Sequence, residues 1–318
     1  MFSLRVLRVL RGDIPFLTFR FFLFCRRREL YREAATIFRP QDSRPPVATI
    51  SALYVYPVKS CRGIAVESAR ITETGFEHDR EWMIVTDEGK FITQRDEPRL
   101  ALIETQLGSD SLQLRVSGTS VLQVPYDSVG KNVEVTCWKD RCAAIDEGDE
   151  AADWISSFIG APHRLVRFDR SRPRISNQAW TGAVQARIQF ADGYPWLVVS
   201  RASLDDLNAR LPKPLPMNRF RPNIVWDDVP AYAEDATHEF QIGEARFRIV
   251  KPCDRCAITT TDQVRGARDG DEPLRTLKSY RFNREMKGVL FGQNAILLAG
   301  EGRALKVGDE VKLTNRSS

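Results

Sequence analysis

The residues with the most chemical potential lie in one short run, Lys251-Pro252-Cys253-Asp254-Arg255-Cys256-Ala257-Ile258-Thr259-Thr260. A C-x2-C pair suits a soft transition metal, a dithiol exchange centre or half of a zinc site. A zinc site needs two further Cys or His ligands. The only histidines are His78, His163 and His238, and none sits at ligand spacing from another. Cys137 and Cys142 form the other close pair and complete a zinc set only if they fold beside this loop. A dithiol exchange motif belongs in a βαβ setting that the flanking sequence lacks. A single thiolate on a transition metal remains, with Arg255 placed to favour the ionised sulfur. From spacing alone, a pair of inert buried thiols stays open as well.

Three more loops carry groups that bind anions or planar polar rings. In Tyr56-Pro57-Val58-Lys59-Ser60-Cys61-Arg62-Gly63, a strand runs into a Pro-ended loop bearing an ammonium, a hydroxyl and a guanidinium, donors suited to a phosphate. In Asn218-Arg219-Phe220-Arg221-Pro222-Asn223, a forked cation and an amide flank a proline. Asp192-Gly193-Tyr194-Pro195 is a turn that lets a ligand approach the backbone. Each alone also reads as an ordinary solvated loop.

These loops need a framework, and the chain supplies mostly short strands. Hydrophobic residues make up 42% and charged residues 28% of 318, an ordinary globular balance with room for two domains. The net charge of +5 lacks the Lys/Arg stripes of a nucleic-acid binder, so no nucleic-acid partner is expected. Strands are expected at 48–56, 81–86, 91–93, 101–107, 111–116 and 133–137, then at 197–199, 224–226, 239–242, 245–250, 295–298 and 310–313. A helix is expected over 149–159, with Trp154, Ile155 and Phe158 on one face, and another from an N-cap at Ser203 to Leu211. There is no Gly-rich nucleotide loop and no βαβ alternation, which disfavours a Rossmann fold.

Residues 1–46 differ from the rest. Arg5, Arg8 and Arg11 recur among Leu and Val, and a Phe-rich run interrupted by Arg20 precedes Arg26-Arg27-Arg28. That run is shorter than the ~20 apolar residues of a spanning helix. Three readings stand: a basic amphipathic helix on a membrane surface, an organelle-targeting segment, or a plain extension. Pro40, Pro45 and Pro46 close it as a linker.

Taken in order along one chain, the motifs resemble the MOSC family. Tyr56 to Cys61, then Asp79-Arg80, then Thr93-Gln94-Arg95 with Glu97-Pro98, are similar to its N-terminal β-barrel domain. Phe220-Arg221-Pro222-Asn223, then Cys253 to Cys256, then Leu277-Lys278-Ser279-Tyr280-Arg281 and Phe291-Gly292-Gln293, are similar to its MOSC domain. Within the family, the resemblance is to the amidoxime-reducing components of mitochondria and their bacterial relatives, over roughly 47–313.

The resemblance implies an α+β, predominantly β fold: an extension at 1–46, a β-barrel domain at 47–165, and a MOSC domain at 166–318 built on a curved mixed sheet or barrel with few helices. It implies a molybdenum ion chelated by molybdopterin, with Cys256 as metal ligand and catalytic residue and Cys253 as a non-ligating neighbour. Cofactor contacts fall on Lys59, Ser60, Arg80, Arg221, Asn223, Asp254 and Tyr194. The implied reaction is reduction of N-hydroxylated small molecules such as amidoximes and hydroxylamines. No cysteine follows Cys256 to build an appended iron–sulfur domain, so electrons are expected from a separate b-type cytochrome, ferredoxin or flavoprotein reductase. The setting expected is cytoplasmic, with the mitochondrial outer membrane, reached through residues 1–46, as the alternative. Two other functions remain: a non-catalytic module carrying sulfur or the cofactor, and a zinc-stabilised binding protein using Cys137, Cys142, Cys253 and Cys256.

Overall fold

The computed structural model describes residues 47–315, so the expectations for residues 1–46 lie outside the described residues. Strands predominate, as the sequence predicts. The largest sheet closes on itself in the order Trp196–Ser200, Ile224–Asp227, Val47–Val55, Glu310–Asn315, Thr237–Ile242, Ala245–Asp254, Gly288–Ala299 and back to Trp196–Ser200. The pairing of Trp196–Ser200 with Ile224–Asp227 is parallel, and the other pairings round this ring are antiparallel. The result is a mixed barrel. Its first strand, Val47–Val55, comes from the opposite end of the sequence and sits between Ile224–Asp227 and Glu310–Asn315.

Alternation explains what faces inward. In Val47–Val55, Ala48 and Ile50 are buried, and a register shift between Ile50 and Ala52 then brings Leu53 and Val55 to the inside. The interior is filled by a run of aromatic rings. Trp226 packs on Phe240 at 4.9 Å, Phe240 on Phe247 at 4.8 Å, Phe247 on Trp196 at 5.3 Å and Trp196 on Phe76 at 6.4 Å. Most of these contacts are edge-to-face, the arrangement favoured by the ring quadrupoles.

The segment between the first and second barrel strands builds two smaller antiparallel sheets. One runs Trp82–Thr86, His163–Phe168, Asp140–Asp146, Asn132–Cys137, and the other Glu104–Leu107, Ser111–Arg115, Leu122–Pro125. The helix Asp149–Ile159 starts after Gly148, carries Asp149 and Glu150 in its first turn where the helix dipole favours them, and ends at a left-handed Gly160. Its Ala151 and Ile155 pack against Trp82, Leu112 and Leu165.

Local expectations fail where capping or bulges decide. Residues 98–102 form a 3-10 turn and not a strand, because Pro98 opens it and the Glu97 carboxylate accepts from the Arg99 N–H; the strand is only Glu104–Leu107. The expected strand at 91–93 is reduced to a bridge between Phe91 and Val85. The helix expected to start at Ser203 begins at Arg201, with Ser200 as its N-cap accepting from the Ser203 N–H. The strand expected over 245–250 continues to Asp254, because a register shift between Pro252 and Asp254 accommodates a proline that cannot donate to the ladder.

Candidate active site

One end of the barrel opens into a cavity. The chain enters it from the loop after Val47–Val55, from the turn before Trp196–Ser200, from the segment before Ile224–Asp227 and from the end of Ala245–Asp254. Val47–Val55 is antiparallel to Ile224–Asp227, which is parallel to Trp196–Ser200, so the end of the first and the starts of the other two meet at one edge of the ring, while Asn294, paired with both Leu197 and Lys251, brings the segment leading to Cys256 beside them. Lys59, Ser60, Arg80, Tyr194, Arg221, Asn223, Asp254 and Cys256 all line this single cavity, with Thr93, Asp192, Phe220, Cys253, Arg255 and Asn294 beside them. Every site residue expected from the sequence is therefore brought to one place. No motif in the sequence assigns a role to Asn294, or to Asp192 beyond its turn.

One wall is cationic. Lys59 is buried, and its ammonium donates to the Phe190 carbonyl at 2.8 Å and pairs with the Asp192 carboxylate. Asp192 also accepts from the Trp138 indole N–H at 3.0 Å. Against desolvation, the Lys59 ammonium holds the Asp192 carboxyl well below the usual carboxylate range. Arg80 and Arg221 lay their guanidiniums against the Tyr56 ring, 4.2 and 4.3 Å from its centroid. Arg80 pairs with Asp79 at 2.5 Å and donates to the Arg221 carbonyl at 3.3 Å, while Arg221 donates to the Cys61 carbonyl at 2.7 Å. Burial pushes Arg221 down to about 10, and the like charge of Arg80 pushes the same way. Burial likewise raises the Asp79 carboxyl, against the pull of Arg80.

The backbone of this wall is unusual. Ser60, Arg80 and Arg221 hold φ at 67°, 52° and 54°. The left-handed region costs a non-glycine residue on the order of 1 kcal/mol or more, and such residues cluster at functional sites. Tyr56 anchors them: its N–H donates to Asp79 at 2.8 Å and its hydroxyl to the Pro222 carbonyl at 3.0 Å. The ring also explains Gly63, where a Cβ would stand 2.3 Å from a Tyr56 ring carbon.

The thiols of Cys253 and Cys256 line the same cavity. Cys256 is exposed and opens the 3-10 turn Ala257–Thr260, its carbonyl accepting from the Thr259 N–H at 3.1 Å and the Thr259 hydroxyl at 3.0 Å. Arg255 does not act as the sequence suggests. Its guanidinium donates to Cys253 Sγ at 2.9 Å and to the Phe220 carbonyl at 2.7 Å, and not to Cys256. Residues two apart along an extended segment share a face, so Arg255 follows Cys253. Asp254 lies against Gly288, where a Cβ would stand 2.2 Å from its carboxylate oxygen. The Tyr194 phenol, half-buried, is pushed up to about 12 by desolvation and stays neutral at physiological pH.

The zinc alternative finds no geometry. Cys137 and Cys142 are buried in a hydrophobic cluster with Met83, Val135, Phe168 and Phe190, and among the described residues no three Cys, His, Asp or Glu side chains form a metal-binding group.

Burial separates the thiols by reactivity. It pushes Cys61 up to about 12 and Cys142 up to about 11, and it raises Cys137 as well. A raised thiol holds less thiolate at any given pH, and the thiolate is the nucleophile. Among the cysteines of the described residues, iodoacetamide at pH 8 is therefore expected to label Cys256 first, leaving Cys61, Cys137 and Cys142 unmodified until the protein unfolds. Peptide mass spectrometry over a time course reads this directly, and early labelling of Cys61 would contradict the buried geometry.

Residues 47–162 match the MOSC N-terminal beta barrel domain, and residues 185–312 match the MOSC domain. Mitochondrial amidoxime-reducing component 1 of Homo sapiens is 39% identical over 282 residues, 84% of this chain and 83% of that protein. The Mus musculus protein of the same name is 37% identical over 291 residues, 86% of this chain and 85% of that protein. Mitochondrial amidoxime reducing component 2 of Bos taurus is 37% identical over 248 residues, 74% of this chain and 73% of that protein.

Proposed function

Because this chain belongs to the MOSC family, with amidoxime-reducing components as relatives, we propose that it is a reductase of N-hydroxylated small molecules that binds a molybdenum ion and its pterin in the barrel-mouth cavity. The observation that carries this reading is the meeting of two donor types in one cavity. Hard cationic and hydroxyl donors, Lys59, Ser60, Arg80 and Arg221, line it together with an exposed thiol, Cys256.

That donor set fits a ligand with an anionic phosphate at one end and a soft metal at the other. Lys59 has a third N–H beyond its two partners, and Arg221 is bonded through Nη1 alone, so both retain capacity for a phosphate oxygen. Asn223 is committed to the frame: its amide accepts from the Leu197 N–H at 3.2 Å and donates to the Tyr54 carbonyl at 3.2 Å. It positions the arginine loop more than it reaches a ligand. Tyr194, a neutral phenol, and Asp254, which line the same cavity, would face the pterin. Cys256 would ligate the metal, and the bound cofactor would supply two-electron removal of oxygen from an N–O bond.

Electrons would come from a separate protein of the b-type cytochrome, ferredoxin or flavoprotein class. The relatives' names favour a mitochondrial setting over the cytoplasmic one. Among the described residues no helix is long and apolar enough to cross a membrane.

The test is metal and pterin analysis of protein made in a cofactor-competent host, followed by benzamidoxime reduction with a chemically reduced viologen dye. Stoichiometric molybdenum and pterin with turnover are expected. A labile sulfur adduct on Cys256 without pterin would replace this reading with a sulfur carrier, and stoichiometric zinc without molybdenum would overturn both.

A further inference from the structure

Two buried glutamines tie the walls of the cavity together. Gln94 and Gln263 lie 169 positions apart in sequence and are almost fully buried. Gln94 Nε2 donates to Gln263 Oε1 at 3.1 Å, and Gln263 Nε2 donates back to Gln94 Oε1 at 2.9 Å. The second proton of each amide is also used. Gln94 Nε2 donates to the Ser60 carbonyl at 2.7 Å, and Gln263 Nε2 donates to the Thr261 carbonyl at 3.1 Å. A reciprocal amide ring with all four protons placed is a narrow geometric requirement.

What the ring connects gives it meaning. Ser60 belongs to the Lys59–Ser60 loop and holds a left-handed φ of 67°. Thr261 directly follows the 3-10 turn that Cys256 opens. The buried guanidinium of Arg219 lies 3.4 Å from both Asp262 and Asp269, either side of the hairpin turn that follows. The Cys256 loop is thus braced by Arg219 and, through Gln263, by Gln94.

We propose that the Gln94–Gln263 amide ring is a positioning device that sets the spacing between the cationic Lys59–Ser60 loop and the Cys256 thiol, so that one ligand can grip both. This rests on the reading of the cavity as a molybdenum-pterin site. A ligand held at both ends gains most when the two grips stand at the right separation before it arrives. Neither glutamine touches that ligand. Each acts through the loop it holds.

The experiment uses Gln94→Met and Gln263→Met, singly and together. Methionine matches glutamine in length and removes every hydrogen bond of the ring. Three probes are titrated into the cofactor-free protein: inorganic phosphate for the cationic wall, Cd2+ for Cys256, and molybdenum cofactor released from another molybdoenzyme for both at once. Phosphate and Cd2+ affinities are expected to stay near wild type. Cofactor affinity is expected to fall about 10- to 100-fold, the range for loss of groups that orient metal ligands. The double variant should be no worse than either single, because the two amides act as one unit.

Unchanged cofactor affinity in the double variant overturns the proposal. So does a parallel fall in all three affinities, which is the signature of general destabilisation. If the methionine variants do not fold, Gln94→Glu serves. It keeps an acceptor for Gln263 but cannot donate to Ser60, and it should weaken cofactor binding while sparing phosphate and Cd2+. A wild-type chain that binds phosphate and Cd2+ but takes up no cofactor overturns the functional reading, and this inference with it.

Discussion

Replacing Cys256 with serine is expected to remove molybdenum from the purified protein and to lower benzamidoxime reduction by at least roughly 1000-fold, about 4 kcal/mol of transition-state stabilisation. The thiol stands exposed at the cavity, its loop fixed by Thr259 and Arg219. A serine hydroxyl fills nearly the same space. It is a harder donor and does not ionise at neutral pH, so it cannot stand in for a thiolate on a soft metal. The matched control is Cys253→Ser, whose wild-type sulfur is engaged by Arg255 at 2.9 Å. It should keep its metal and lose less than about 10-fold, below the roughly 10- to 100-fold cost of removing a group that orients the metal ligands. Equal losses in the two variants, or a Cys256→Ser protein with normal metal content, would end the assignment of the ligand.

Arg221→Ala should be the next most damaging change. Its guanidinium is buried, rests on Tyr56 and is pushed down to about 10 by poor solvation and the nearby Arg80 charge. Asp79 pairs with Arg80, and among the described residues Arg221 donates to a carbonyl and pairs with no carboxylate, so the cavity has charge to spare for an anion. Truncation should weaken cofactor retention by the worth of a charged hydrogen bond, about 1.5–3 kcal/mol or roughly 10- to 150-fold. Arg221→Lys should recover only part of this. A point charge cannot lie flat on Tyr56 and donate to the Cys61 carbonyl together. Pterin fluorescence of the desalted protein measures the loss, and full retention in the alanine variant would remove Arg221 from the site.

What the sequence disclosed depends on the range over which each interaction acts. The helix Asp149–Ile159 follows from its own residues, because its periodicity, its acidic first turn and its terminal glycine all lie within the segment. The candidate site residues stood out as punctuated loops, and the order of those loops made the family recognisable. Side-chain partners across the fold were not legible. Nothing in Cys253-Asp254-Arg255-Cys256 says that the arginine turns to the first thiol, since that choice is made by the strand continuing to Asp254 through a bulge at Pro252. Nor does Gln94 announce Gln263, because their amides meet only after the whole chain has folded.

Val47–Val55 waits for its neighbour Glu310–Asn315. During translation the first staves of this cask leave the ribosome long before the last, and the ring cannot shut until the chain is made past Asn315. The cavity therefore has no finished mouth on a nascent chain. Any guest seated there is loaded after Glu310–Asn315 has joined the ring, and the polypeptide must meanwhile keep the edge of its opening strand from pairing with the wrong partner.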